Sequence, residues 1–180
     1  MFGVDLSLAF DSNKSDAPQI VIMLTNEIER QAKNQPQLDL YKLYHTKIPL
    51  ENLIELRDKL NTSDDQLQKI NLTNYEIQYL VSILKRYLRE LPDPVIPVNW
   101  YEEVIATLKQ YAVDKQAVVK LMHLINTELP EHHRLTIYWI MSHLCRICSL
   151  QYSRGNREYP KNLVQVWCHI FIRPPWESIV

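Results

Sequence analysis

Between Leu84 and Pro97 the chain reads Leu-Lys-Arg-Tyr-Leu-Arg-Glu-Leu-Pro-Asp-Pro-Val-Ile-Pro, and few folds accommodate such a run. Its first half completes a helical stripe of Ile77, Leu80, Val81, Leu84, Leu88 and Leu91, with Lys85 beside it. Its second half forbids helix. Pro92 has no amide to donate and pushes Leu91 out of the helical region, and Pro94 and Pro97 stiffen the chain beyond it. A helix end must therefore meet a rigid apolar strap. Lys85 and Arg89, four residues apart, fall on one face of that helix about a turn from each other.

Prolines and polar turns divide the rest of the chain in the same way. Residues 1–17 read as a polar, irregular arm lying on a domain that spans 18–180. Pro18 opens a helix carrying Val21, Leu24, Ile28 and Ala32, and Pro36 closes it. Residues 36–49 read as a loop anchored by tyrosines and leucines. Pro49 starts a helix with Leu50, Leu53, Ile54, Arg57 and Leu60 on one face, ended by Asn61 to Asp65. Thr73 and Glu76 have the spacing of a capping box. Asn99 is placed to cap a helix with Trp100, Val104, Leu108 and Tyr111, and Asp114 another with Ala117, Val118, Leu121, Met122 and Ile125. After Leu129-Pro130, residues 131–150 carry Leu135, Tyr138, Met141, Cys145 and Cys148 and read as a central helix buried on more than one side. Pro160 opens a last helix with Leu163, Val166, Trp167, Ile170 and Phe171, stopped by Arg173-Pro174-Pro175. Valine and isoleucine recur at helical spacing rather than in alternation, so the predicted class is all-α.

Composition excludes several functions. Lys+Arg number 20 against Asp+Glu 21, which lacks the basic excess that nucleic-acid binding requires. No apolar run approaches the roughly 18 to 20 residues that cross a bilayer, and no leader is legible, so a cytoplasmic location is expected. The only glycines are Gly3 and Gly155, so no phosphate-cradling loop can be written and no cofactor is implied. Cys145, Cys148 and Cys168 fit free thiols, and Cys145-x-x-Cys148 reads as two small buried residues of a helix rather than a metal knuckle. His132 and His133 read as exposed, and Asn71-Leu72-Thr73 as a helix cap rather than a glycosylation site.

Three segments together resemble the Rho GTPase-activating domain, also called the breakpoint-cluster-region homology domain. Lys85, Arg89, Leu91, Pro92, Pro94, Ile96 and Pro97 stand where that family has Lys-x-x-x-Arg-x-Leu-Pro-x-Pro-Leu-Ile-Pro. Leu129-Pro130 with His133-Arg134-x-Thr136 and His143-Leu144 is similar to a second family segment, and Asn162-Leu163-Val164-x-Val166-Trp167 to a third. Within the family the wording is most similar to the domain of the class IA phosphoinositide 3-kinase regulatory subunit. Leu43-Tyr44-x-Thr46, Asn52-Leu53-x-Glu55-Leu56-Arg57 and Lys85-Arg86-Tyr87-Leu88 carry that similarity.

The resemblance implies a helical domain that contacts a small GTPase and inserts an arginine against the transferring phosphoryl group. Such a finger is worth about 10³ to 10⁵ in rate. By the same resemblance the finger position is held here by His45, flanked by Lys42 and Lys47. Histidine is shorter and lacks the planar five-donor fork, so catalysis is expected to be weak or absent. The family's late asparagine aligns with Ile170, a second departure. Lys85 and Arg89 are retained; the resemblance implies that they contact the GTPase or hold the finger loop, against the plainer reading of an ordinary solvated helix face. Pro92, Pro94, Pro97 and Asn162 are expected to be architectural. The implied partners are a Rho-family or other small GTPase and, through other parts of a longer protein, the phosphoinositide 3-kinase catalytic subunit. Self-association through apolar surfaces is a further possibility. The opposing expectation is an active GTPase activator drawing its arginine from Arg30, Arg57 or Arg86. The chain stops before the closing helix that the resemblance leads one to expect, and so reads as a fragment.

Overall fold

A computed structural model describes residues 1–111 and 115–176. Among them the only regular structure is helical, as the spacing predicts. The elements are α1 (Leu6–Ala9), α2 (Gln19–Asn34), α3 (Leu40–His45), α4 (Ile54–Leu60), α5 (Asp64–Leu67), α6 (Ile77–Arg89), α7 (Tyr101–Tyr111), α8 (Lys115–Thr127), α9 (Glu131–Ser153) and α10 (Lys161–Phe171). Short 3-10 turns at Leu50–Asn52, Leu72–Asn74 and Val98–Trp100 join some of them.

The core forms where α2 lies on α6 and α9 and where α10 closes over α3. Ile20, Val21, Leu24, Ile28 and Ala32 of α2 are fully buried, as are Leu80, Val81, Ile83, Leu84 and Leu88 of α6. Each buried side chain of this size contributes about 1.5 to 3 kcal/mol, which is what orders these helices. Thr25, in the middle of α2, is buried without penalty. Its hydroxyl donates to the Val21 carbonyl at 2.8 Å and accepts the Trp139 indole N–H at 2.9 Å.

The strap packs against the domain everywhere but at Pro92. Leu91, Pro94, Val95 and Pro97 are buried, while Pro92 faces solvent. The Ile96 amide donates to the Phe171 carbonyl at 3.0 Å, and the Val98 amide to the Asp93 carboxylate at 2.9 Å. Arg173 reaches back to the carbonyls of Arg89 and Leu91, tying the end of α6 to the segment after α10. The arm is tied down as well. It contains α1, its Phe2 ring meets Tyr87 edge-on at 5.4 Å, and its amino terminus donates to Asn61 at 2.8 Å.

Several local expectations are corrected. The Thr73–Glu76 box does not form: Asn71 caps the 3-10 turn by accepting from the Thr73 amide, and α6 begins after Glu76 with no side-chain cap. Residues 36–49 contain α3, because Asp39 accepts from the Tyr41 and Lys42 amides and so caps a helix that Pro36 alone does not suggest. The chain after Pro49 makes a 3-10 turn before α4, which rotates the buried face to Leu53, Leu56 and Leu60 and leaves Leu50 and Ile54 exposed. Asp64 and Asp65 lie in α5 rather than only in a turn. Pro97, not Asn99, precedes the turn leading into α7, and Asp114 lies outside the described residues.

The α8 stripe is largely open. Val118, Val119 and Met122 are exposed, and only Ala117 and Leu124 of that helix are buried. Helix α9 is buried along one face rather than on several sides. Its inner face is His133, Thr136, Ile137, Ile140, His143, Leu144, Ile147 and Gln151, while Tyr138, Met141 and Cys145 are exposed and Cys148 is half-buried. His133 is buried, not exposed, and its Nδ1 lies 3.0 Å from the Val95 carbonyl of the strap. His132 is half-buried, edge-on to Phe10 at 4.9 Å.

Candidate functional site

Three helices fix the position of residue 45. On α3, Leu40, Tyr41, Leu43 and Tyr44 are buried, so the helix is pinned along one side and its last residue, His45, is left exposed. Gln151 of α9 accepts from the Leu40 amide at 3.2 Å and orients the start of α3. The end is held by Lys85 of α6, whose Nζ donates to the Tyr44 carbonyl at 2.6 Å and to the Thr46 carbonyl at 2.9 Å. The backbone is thus gripped on both sides of His45. These charge-assisted bonds are of the strong class.

That geometry corrects one reading and supports another. Lys85 is 7% exposed, so it is not part of a solvated helix face. It holds the loop that carries position 45. Arg89, a turn further along α6, is exposed, and it lines a cleft of about 340 Å³ together with Thr46, Lys47, Ile48, Ser82 and Lys85. Lys42 stays outside that cleft and pairs with Asp39 at 3.4 Å. The structure therefore brings Lys85, Arg89 and Lys47 together in one cleft, whose lining includes neither His45 nor Lys42. Asn162, expected to be architectural, is exposed in the first turn of α10. Ile170 is fully buried on α10, so this position offers the surface no contact, and the departure there is a matter of core packing.

Behind α3 lies a polar chain that sequence reasoning missed. The Tyr44 hydroxyl is 2.5 Å from His143 Nε2, His143 Nδ1 is 2.7 Å from Glu29 Oε1, and the Arg146 Nε–H donates to Glu29 Oε2 at 2.8 Å. A carboxylate only accepts, so His143 carries its proton on Nδ1 and accepts the Tyr44 O–H at Nε2. Burial works to raise the Glu29 carboxyl, but the bonds from His143 and Arg146 outweigh it and hold it below its ordinary value. Burial also holds His143 below its ordinary value against the pull of Glu29, so the ring is neutral when it links the two. Burial raises the Tyr44 hydroxyl well above its usual range, and it stays a donor. In the sequence Tyr44 and His143 stand out only as motif residues, with nothing to link them to each other or to Glu29.

Burial first, then the charges of Arg89 and Lys47, pull the Lys85 ammonium down to about 8 from its usual 10.5. Between those values the folded chain gives up a proton that the unfolded chain keeps, so stability rises with pH in that window, by up to about 1.4 kcal/mol per pH unit. Urea unfolding of the wild type and of Lys85→Met at pH 7.5 and pH 10 is expected to show their difference shifting in favour of the wild type at the higher pH. A difference independent of pH contradicts the assignment.

The RhoGAP domain family model matches residues 18–176. Unconventional myosin-IXAa of Danio rerio is 28% identical over 174 residues, which is 97% of this chain and 6% of that protein. Rho GTPase-activating protein 27 of Mus musculus is 26% identical over 179 residues, 99% of this chain and 19% of that protein. The chain therefore spans only a small part of the length of these relatives. The crystal structure of human Rho GTPase activating protein 15 aligns with a TM-score of 0.77 at 24% identity, covering 96% of this chain and 77% of that one, and shares its fold.

Proposed function

Because the chain belongs to the RhoGAP domain family, we propose that it is a non-catalytic member: a RhoGAP-like domain of a phosphoinositide 3-kinase regulatory subunit that binds a Rho-family GTPase without accelerating GTP hydrolysis. The catalytic subunit of the kinase would be reached through other parts of the full-length protein. The observation that carries the non-catalytic reading is His45, presented at an exposed helix end whose backbone Lys85 holds on both sides. The platform is built, and the residue on it cannot span phosphate oxygens as a guanidinium does. The kinase-subunit reading rests on the wording around Leu43-Tyr44, Asn52-Leu53 and Lys85-Arg86-Tyr87-Leu88.

The competing reading, an activator that borrows another arginine, finds its donors occupied. Arg30 pairs with Glu27 at 2.7 Å. Arg57 and Arg86 both grip Glu90, at 2.8 and 2.5 Å, and Arg57 also lies over the Phe2 ring.

Binding is tested by reversing exposed charges rather than Lys85, since Lys85→Glu would aim a carboxylate at two carbonyls and unfold the loop. Lys47→Glu combined with Arg89→Glu is expected to weaken the affinity for GTP-loaded Rho-family GTPases at least about tenfold, with an unchanged unfolding midpoint. Unchanged affinity would reduce the cleft to scaffold.

A further inference from the structure

The cleft beside position 45 has a composition that holding a loop does not require. Ser82, Lys85, Arg86 and Arg89 follow one another at helical spacing down a single face of α6, and Lys47 faces them from the loop after α3. Four cations thus line the cleft against one carboxylate, Glu90, which Arg57 and Arg86 already neutralise. Lys85 is spent on the Tyr44 and Thr46 carbonyls, whereas Arg89 and Lys47 are exposed to the cleft. Ser82 borders the cleft but is 7% exposed, and its hydroxyl is closed off from the surface. The opposite wall is apolar: Ile48 and Leu50 are partly open and Leu53 is buried.

We infer that this cleft is a binding site for a phosphomonoester carried on an aromatic or apolar body, the group that a phosphotyrosine side chain presents. Arg89 and Lys47 meet the phosphate charge, and Ile48 and Leu50 cover the ring. A volume of about 340 Å³ suits a group of this size. An inositol polyphosphate would bring more charge than two free cations match and would leave the apolar wall uncovered. The inference goes beyond the GTPase reading and does not rest on it, although both use the same cleft.

The test is an NMR titration of the chain, with no GTPase present, using phenyl phosphate, inorganic phosphate and inositol trisphosphate at one ionic strength. Phenyl phosphate is expected to give saturable shifts at the amides of Ser82, Arg89 and Leu50, and to bind roughly tenfold more tightly than inorganic phosphate because its ring covers apolar surface. Arg89→Gln is expected to weaken it about tenfold or more, and Lys47→Gln severalfold, each with an unchanged unfolding midpoint. Absence of saturable shifts, equal affinity for the two phosphates, tightest binding of inositol trisphosphate, or indifference to both substitutions would each overturn the inference. Since no GTPase enters the measurement, failure of GTPase binding leaves these outcomes readable.

Discussion

Replacing His45 by arginine is expected to raise single-turnover GTP hydrolysis on a bound Rho-family GTPase about a thousandfold above the level with the unmodified chain, the low end of what an arginine finger supplies. The reason for so large a gain from one side chain is that the costly part of a finger is its placement. On the proposed reading that placement is already made. Helix α3 is anchored by four buried residues, and the Lys85 ammonium fixes the carbonyls of Tyr44 and Thr46 on either side of the substituted position. The residue itself is exposed, so the longer guanidinium meets no packing obstacle. His45→Lys is expected to recover far less, because an ammonium is a point charge without the planar fork. An arginine variant that binds the GTPase and still leaves hydrolysis unchanged would show that something besides residue 45 has been lost.

The largest expected loss of stability at the site comes from Tyr44→Ala, about 4 kcal/mol by urea unfolding. Tyr44 is fully buried, with its ring 5.9 Å from that of Trp167 and 6.1 Å from that of His143. Truncation opens a cavity between α3, α9 and α10 and also leaves His143 Nε2 without a donor. Tyr44→Phe keeps the volume and removes only the hydroxyl, with an expected cost of about 1 to 2 kcal/mol. The gap between the two variants separates packing from hydrogen bonding. If Tyr44→Phe cost as much as Tyr44→Ala, the polar chain through His143 to Glu29 would matter more than the packing, contrary to this assignment of energies.

The helices were legible where prolines or a clean apolar stripe marked them. Pro18, Pro130 and Pro160 each sit directly before a helix, and α6 buries the stripe that the spacing names. Legibility failed where a helix was short or where both faces carried apolar residues. Helix α3 has only six residues, too few to show a period, and is made by its Asp39 cap and by burial against its neighbours. On α9 the residues singled out by spacing, Tyr138, Met141 and Cys145, are exposed, because polar Thr136, His143 and Gln151 occupy the inner face with satisfied hydrogen bonds. Hydrophobicity alone cannot rank those two faces.

At the candidate site, Lys85 and Arg89 were legible as a pair four residues apart, but not their division of labour. Which of two neighbouring cations is buried depends on what lies across from it, here the end of α3, and that is a tertiary fact. Lys85 has gone inward to hold the loop, while Arg89 remains outward in the cleft. Glu29 lies far from His143 in sequence, so no local pattern announces their contact.

The most direct measurement of the central claim is single-turnover hydrolysis of GTP on a panel of Rho-family GTPases, with the unmodified chain in saturating excess and with no chain added. The two rates are expected to differ by less than about tenfold on every GTPase that binds, against the 10³ to 10⁵ of a working finger. Acceleration beyond about tenfold that persists in His45→Ala would contradict the claim, because the phosphoryl group would then be receiving its stabilising charge from elsewhere on this surface.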